Sequence, residues 1–168
     1  MILRLSLDLP EDLSYIRTTR LLSRTLLEDI KVVKEDMDDV EIIVGELCSN
    51  VVRHAHSKEK HYSVVLEYYE PRVVITVTDK GQGFGQEDVL PVGTVRPDEA
   101  GGERVGGFGL FLLEGLSDKL KFTATVPHGT TVHVEKKLRY ETQGDANEAA
   151  ERDMGEGIDI MGNTGELT

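Results

Sequence analysis

The sequence lacks the features of a secreted or membrane-spanning protein. Its 168 residues include a single cysteine, Cys48, which excludes an internal disulfide. There is no signal peptide, and no apolar run approaches the roughly 20 residues that a membrane helix needs. These absences predict a protein of the reducing cytoplasm that does not enter the membrane.

Positive charge is also scarce. The chain has 19 lysines and arginines against 31 acidic residues, which gives a formal net charge of -12. The last 28 residues hold eight of the acids and one arginine, so residues 1–140 carry only -5. Such a balance argues against direct binding to nucleic acid or to an anionic membrane, but it permits binding to a basic patch on another protein.

Length and composition predict one folded domain followed by a tail. A chain with 39% hydrophobic residues and this length can bury one core, but it is too short for two ordinary domains. Residues 141–168 have no aromatic side chain and five glycines, so they bury too little apolar area to offset the entropy lost on ordering. We expect a domain over residues 1–140 and a disordered acidic tail over 141–168, with a short partner-binding helix around Ala149 and Ala150 as the alternative.

Hydrophobic periodicity predicts the element order β-α-α-β-β-α-β-β. The strands are expected at residues 2–9, 62–69, 72–79, 121–126 and 130–138, and the helices at 11–30, 38–57 and 108–118. Residues 84–106 are rich in Gly, Pro and charge and have no usable period, and a loop of this length is typically functional. The order indicates an α+β sandwich in which helices cover one face of a sheet.

The second predicted helix, DDVEIIVGELCSNVVRHAH, carries two stripes. One is apolar and recurs at three- and four-residue steps, as expected for a core face: Val40, Ile43, Val44, Leu47 and Val51. The second, along its flank, consists of Glu46, Asn50 and Arg53, while Asp38 or Asp39 could cap the start of the helix. The polar stripe fits either a solvated helix border or a site with a proton acceptor, an amide ligand for a hard cation and a phosphate contact.

Two glycine-containing motifs follow. In VTDKGQGF, Asp79 closes a buried strand and precedes Gly81 and Gly83, so a carboxylate able to accept an amino hydrogen from a base lies beside a backbone that a ligand can approach. The same pattern also suits an ordinary turn. In GGFGLFLLEGL, glycines immediately precede a helix, which favours either a phosphate site at the helix start or a flexible hinge.

Together these motifs resemble the Bergerat-fold ATPases, which include gyrase B, histidine kinases, a heat-shock chaperone and the mismatch-repair ATPases. ELCSNVVRHA is similar to the N box of that family, VTDKGQGF to its G1 box, GGFGLFLLEGLSD to its G2 box, and HGTTVHV to its closing strand. The resemblance covers residues 2–139 and implies a two-layer sandwich with a mixed β-sheet and helices on one face. It also implies that residues 84–106 form a flexible ATP lid.

The resemblance implies a role for each matching residue. Glu46 would be the general base, Asn50 the Mg²⁺ ligand and Arg53 a phosphate contact. Asp79 would read adenine with Gly81 and Gly83 beneath the base, and Thr130 would sit behind Asp79. The remaining matches would hold phosphate: Gly107, Gly109 and Leu110. No set of histidines has metal-ligand spacing, so His54, His56 and His61 are expected to be structural or exposed.

Within that superfamily, the small size and GGFGLFLLEGLSD most resemble the stand-alone anti-sigma-factor serine kinases. This resemblance implies a homodimer that uses ATP and Mg²⁺, binds a sigma factor, and phosphorylates a serine of a STAS-type anti-anti-sigma protein. Arg17, Arg20 and Arg24 of the first helix are expected at the partner surface. Two alternatives remain: a stressosome-type switch kinase that does not bind a sigma factor, and a nucleotide-binding adaptor without transfer activity.

Overall fold

The computed structural model describes residues 1–81, 94–97, 103–106, 108–124 and 128–142. Gly83, Gly107, most of the predicted lid and the predicted tail from residue 143 onward lie outside these ranges. The elements, in chain order, are β1 (Leu3–Pro10), α1 (Ser14–Asp29), α2 (Lys34–His54), β2 (His61–Tyr69), β3 (Arg72–Asp79), β4 (Thr94–Pro97), β5 (Glu103–Gly106), α3 (Phe108–Leu116), β6 (Lys119–Ala124) and β7 (Thr130–Lys137).

Five of the strands form one sheet in the order β1-β2-β3-β7-β6. All four pairings in this sheet are antiparallel, so the predicted mixed sheet was wrong. Along β2, buried residues alternate with half-buried ones, as expected when one sheet face packs on helices and the other does not. The predicted α+β sandwich is confirmed.

The core lies between the sheet and α2. Every residue of the predicted apolar stripe on α2 is buried, and the stripe joins the buried side chains of β2 and β3 in one cluster. This outcome follows from the 3.6-residue period of the helix, which gathers the stripe on the face turned to the sheet. None of the described helices is both long enough and apolar enough to cross a membrane.

Helix α2 begins at Lys34, four residues earlier than predicted, and ends at His54 rather than near Ser57. Neither Asp38 nor Asp39 caps it, because both lie inside the helix, whose N-cap residue is Val33. Asp38 accepts hydrogen bonds from Lys34 and Arg24, and Asp39 pairs with Lys136 at 2.7 Å. The acidic residues of the first turn, where the helix dipole favours negative charge, are instead Glu35 and Asp36.

Several other features differ from the predictions. Strand β1 includes Pro10, whereas the predicted strand ended one residue before it. Helix α1 begins at Ser14 rather than at residue 11, and the Ser14 N–H donates to Asp12 Oδ1 at 2.8 Å. Pro10 is tolerated there because β1 is an edge strand, where a missing N–H need not break a ladder bond. Within the segment predicted to lack regular structure, β4 and β5 pair as a two-stranded hairpin.

Candidate active site

A cleft opens between the C-terminal half of α2 and the edge of the sheet formed by β3, β7 and β6. It has an empty volume of about 460 Å³, part of which is open to solvent. Its walls are mainly apolar, and its lining residues are Leu47, Asn50, Val51, His54, Ala55, Asp79, Phe122, Thr130 and Val132. Apolar walls around a single carboxylate suit a flat base that donates one amino hydrogen.

Asp79 is the carboxylate of this cleft, and it is 6% exposed. Its Oδ1 accepts the Gly81 N–H at 2.7 Å, and the backbone N–H of Thr130 also donates to this carboxylate. Burial raises the pKa of Asp79, the two backbone hydrogen bonds oppose that rise, and the charge of Glu11 adds to it. The structure therefore brings together Asp79, Gly81 and Thr130, which belong to two separate motifs of the sequence.

Two glycines allow the backbone around Asp79 to pack closely. A Cβ on Gly81 would lie 2.0 Å from the carbonyl oxygen of Ala55, and a Cβ on Gly129 would lie 2.1 Å from that of Asp79. Gly129 also has φ +118°, in the region that L side chains rarely adopt. Gly129 was not among the predicted site residues, although its position in HGTTVHV, beside Thr130, was a usable signal.

Glu46 and Asn50 meet the first turn of α3. A Cβ on Gly109 would lie 2.5 Å from Glu46 Oε2 and 3.8 Å from Asn50 Oδ1. Both polar side chains are half-buried, as are Gly109 and Leu110. The carboxylate and the amide thus face the helix start where the sequence predicted a phosphate site, so N-box and G2-box residues are brought together.

Arg53 and His54 are neighbours at the C-terminal end of α2, and only His54 lines the cleft. Arg53 is exposed and is not among the residues that line the cleft, whereas His54, expected to be structural or exposed, is exposed and lines it. His54 lies three residues after Val51 and seven after Leu47, on the same helical face as both. That spacing was the signal that sequence reasoning missed.

The described residues contain no group of three or more His, Cys, Asp or Glu side chains placed to bind a metal ion. Mg²⁺ that is bound together with a nucleotide takes most of its oxygens from phosphate and water and only one or two from protein. Asn50 Oδ1, beside the start of α3, is a suitable protein oxygen.

Comparison with known proteins agrees with this geometry. Residues 9–136 match the family profile of the histidine kinase-like ATPase domain. The chain belongs to this family. The match contains the N-box, G1-box and closing-strand residues described above, so the resemblance inferred from the motifs is confirmed at the family level, and with it the use of ATP.

Similar proteins identify which kind of histidine kinase-like ATPase domain this is. It is 31% identical over 121 residues to the serine-protein kinase RsbW of Halalkalibacterium halodurans, covering 70% of this chain and 74% of the relative. It is also 31% identical over 145 residues to the serine-protein kinase RsbW of Bacillus pumilus, covering 82% and 87%. The chain is thus a member of the RsbW serine-protein kinases, and the predicted ATP-dependent protein kinase class is confirmed.

Two solved structures share the fold of this histidine kinase-like domain. The RsbU and RsbW domains of a Mycobacterium tuberculosis protein align with a TM-score of 0.60 at 21% identity, covering 83% of this chain and 35% of that one. The SiaB–SiaC complex of Pseudomonas aeruginosa gives a TM-score of 0.58 at 16% identity, covering 78% and 88%. This chain therefore spans about a third of the mycobacterial protein, and both likenesses concern the fold alone.

Proposed function

We propose that this chain transfers the γ-phosphoryl group of Mg²⁺-ATP to a serine of a STAS-type anti-anti-sigma protein, and that it also sequesters a sigma factor. The observation that carries the proposal is the joint placement of two groups. Asp79 lies at the base of an apolar cleft, and Glu46 and Asn50 lie beside the start of α3. Phosphoryl transfer needs mainly positioning and neutralised charge. This arrangement supplies the positioning, and Mg²⁺ held at Asn50 would supply the positive charge.

Each group has a distinct part in the proposed reaction. Asp79 accepts the adenine amino hydrogen, and the backbone N–H groups at the start of α3, around Gly109, bind phosphate oxygens. Glu46 accepts the proton of the attacking serine hydroxyl. Asn50 would hold Mg²⁺, whose charge offsets that of the triphosphate.

We place the protein in the cytoplasm as a homodimer whose folded domain ends near residue 140. The edge strand β1 and the residues before it support a dimer, since Met1, Ile2 and Leu3 are 65%, 63% and 39% exposed. An uncovered strand edge with apolar side chains is a ready surface for a second copy.

The arginines of α1 divide into two kinds. Arg24 is half-buried, and its guanidinium binds carboxylates of Asp38 and Glu41 at 2.8 and 2.6 Å, so it holds α1 against α2. Arg17 and Arg20 are exposed, and Leu21 beside them is 59% exposed. A cation beside an exposed apolar side chain suits a protein partner, so we limit the proposed partner surface to Arg17 and Arg20.

Replacing Arg20 with Ala should weaken binding of the sigma factor or the STAS protein by about tenfold, the loss typical of a useful interface side chain. ATP affinity should stay at the parental value, because Arg20 is not among the residues lining the cleft. Partner affinity is measured by surface plasmon resonance and ATP affinity by calorimetry. Unchanged partner affinity in both Arg17→Ala and Arg20→Ala would identify α1 as a merely solvated face.

Replacing Gly109 with Ala should reduce phosphoryl transfer by at least about tenfold while the protein stays folded. The new Cβ would meet Glu46 Oε2 at 2.5 Å, so this carboxylate must move, and it can do so because it is the end of a flexible side chain. The matched control is Gly115→Ala on the same helix, where, apart from the neighbouring residues and the helix's own backbone, no atom of the described residues lies within 4 Å of the new Cβ.

Gly115→Ala should transfer phosphate like the parent and gain up to about 1 kcal/mol of stability from its higher helix propensity. Single-turnover transfer and urea unfolding of both variants make the comparison. Equal transfer rates in Gly109→Ala and Gly115→Ala would mean that phosphoryl transfer does not depend on the position of the Glu46 carboxylate.

A pull-down from the source cell and a phosphotransfer assay with purified partners test the proposed function as a whole. Capture of a sigma factor together with transfer to the STAS protein supports it. Transfer without sigma capture would indicate a switch kinase alone, and capture without transfer would indicate a nucleotide-binding adaptor.

A further inference from the structure

The carboxylate of Glu11, just before α1, is buried. Its side chain is only 4% exposed, Oε1 accepts the Ser57 N–H at 3.3 Å, and Oε2 lies 3.8 Å from Lys60 Nζ. The backbone N–H of Glu11 donates to the carbonyl of Lys60 at 2.9 Å. Buried carboxylates are tolerated when they are paired, and here every one of these contacts is made to the segment 55–60 that follows α2.

That segment has an unusual backbone. His56 has φ +46° and Lys60 has φ +56°, a region that side-chain-bearing residues seldom occupy. Such conformations persist when their surroundings hold them in place. Within the segment Ser57 Oγ accepts the Lys60 N–H at 2.9 Å, and Glu11 adds contacts from outside it.

The same segment forms part of the cleft wall. Ala55 lines the cleft, and a Cβ on Gly81 would lie only 2.0 Å from the Ala55 carbonyl oxygen, so the two backbones touch. Gly81 in turn donates its N–H to Asp79 Oδ1 at 2.7 Å. A displacement of segment 55–60 would therefore shift the Gly81 backbone, and with it the Asp79 carboxylate that Gly81 binds.

Glu11 also acts on Asp79 electrostatically. After burial, which is the largest cause, the negative charge of Glu11 contributes to the raised pKa of Asp79. The two carboxylates are thus close enough to interact, although they lie on different elements of the fold.

We propose that Glu11 is a positioning residue of the nucleotide cleft, which holds segment 55–60 against Gly81 and so keeps the Asp79 carboxylate where it meets the base. The inference rests on the proposed function, and it adds a residue that lies outside the four sequence motifs.

The test is calorimetric titration of the full chain with Mg²⁺-ATP, for the parent, Glu11→Ala, Glu11→Gln and the control Asp36→Ala. Asp36 matches Glu11 in burial, with a side chain 5% exposed and paired to Arg139 at 2.8 Å, but it does not line the cleft. Loss of folded protein lowers the binding stoichiometry, whereas a displaced cleft wall raises Kd. The two measured quantities therefore separate a general loss of stability from a positioning role.

Glu11→Ala should raise Kd by about tenfold at near-parental stoichiometry. Glu11→Gln should raise Kd by about threefold, because it keeps an acceptor for Ser57 and loses the ion pair with Lys60. Asp36→Ala should leave Kd unchanged and lower the urea midpoint. If Glu11→Ala does not fold, Glu11→Gln decides the question by itself.

A parental Kd in Glu11→Gln and in any folded Glu11→Ala would overturn the inference, as would an equal rise in Kd for Asp36→Ala. A parent that binds no ATP would instead overturn the proposed function, and this inference with it.

Discussion

Replacing Glu46 with Gln is expected to slow phosphoryl transfer by roughly two to four orders of magnitude, the usual contribution of a positioned general base. Gln preserves the shape of the side chain beside Gly109, but it cannot take up the serine proton. ATP affinity should be close to that of the parent, since Glu46 is not among the residues that line the cleft around Asp79. Single-turnover transfer from labelled ATP measures the rate, and calorimetry on the same preparations measures the affinity.

Asn50→Ala should behave differently from Glu46→Gln, although both residues lie on the same stretch of α2. Removing the amide oxygen takes away the proposed protein ligand of Mg²⁺, so affinity for Mg²⁺-ATP and transfer should fall together. Near-parental transfer by Glu46→Gln would exclude Glu46 as the base, even if the cleft binds ATP as proposed.

Replacing Asp79 with Asn should abolish most ATP binding, with Kd rising by roughly a hundredfold or more. The Gly81 and Thr130 N–H groups already point at this side chain, so they should hold the Asn carbonyl oxygen and turn its NH₂ group toward the cleft. A donor would then face the amino group of adenine, which is also a donor. Calorimetry with ATP and with GTP measures the loss of both affinity and base preference.

The same substitution should stabilise the fold, which distinguishes it from a damaging mutation. Burial raises the pKa of Asp79 above its ordinary value of 3.8, so the folded state holds this proton more tightly than the unfolded state. The contribution of protonated Asp79 to the free energy of unfolding is fully present below the pKa of Asp79 in the unfolded state. It is lost as the pH rises through the pKa of Asp79 in the folded state. At pH 7 the buried charge therefore costs free energy, which a neutral Asn removes.

Urea unfolding at pH 7 should accordingly give a higher free energy of unfolding for Asp79→Asn than for the parent. Parental ATP affinity in this variant would remove Asp79 from the site. Lower stability would show that the carboxylate is held by more favourable contacts than the two backbone hydrogen bonds.

The local features of the fold could be predicted from the sequence because they follow from periodicity. The apolar stripe of α2 and the polar pair of Glu46 and Asn50 depend on the helical repeat alone, and the structure has both where the pattern put them. Asp79, Gly81 and Thr130 were predictable for a different reason. Asp79 and Gly81 stand in a short motif at a strand end, whereas the place of Thr130 behind Asp79 followed only from the resemblance to the Bergerat-fold ATPases.

Features set by contacts between distant parts of the chain could not be predicted. Helix α2 starts early, and Asp36 in its first turn binds Arg139, which is 103 residues away. Glu11 meets Ser57 across 46 residues. The hairpin of β4 and β5 has only four residues per strand, too few for a period to show.

The most direct test of the account is phosphoryl transfer by the parent chain itself. The protein is incubated with Mg²⁺, γ-labelled ATP and its cognate STAS protein, and mass spectrometry locates the phosphate. We expect one phosphoserine on the STAS protein, formed only with Mg²⁺ and lost in Glu46→Gln. ATP that binds without labelling the STAS protein, or label that appears on a histidine of the kinase itself, would contradict it.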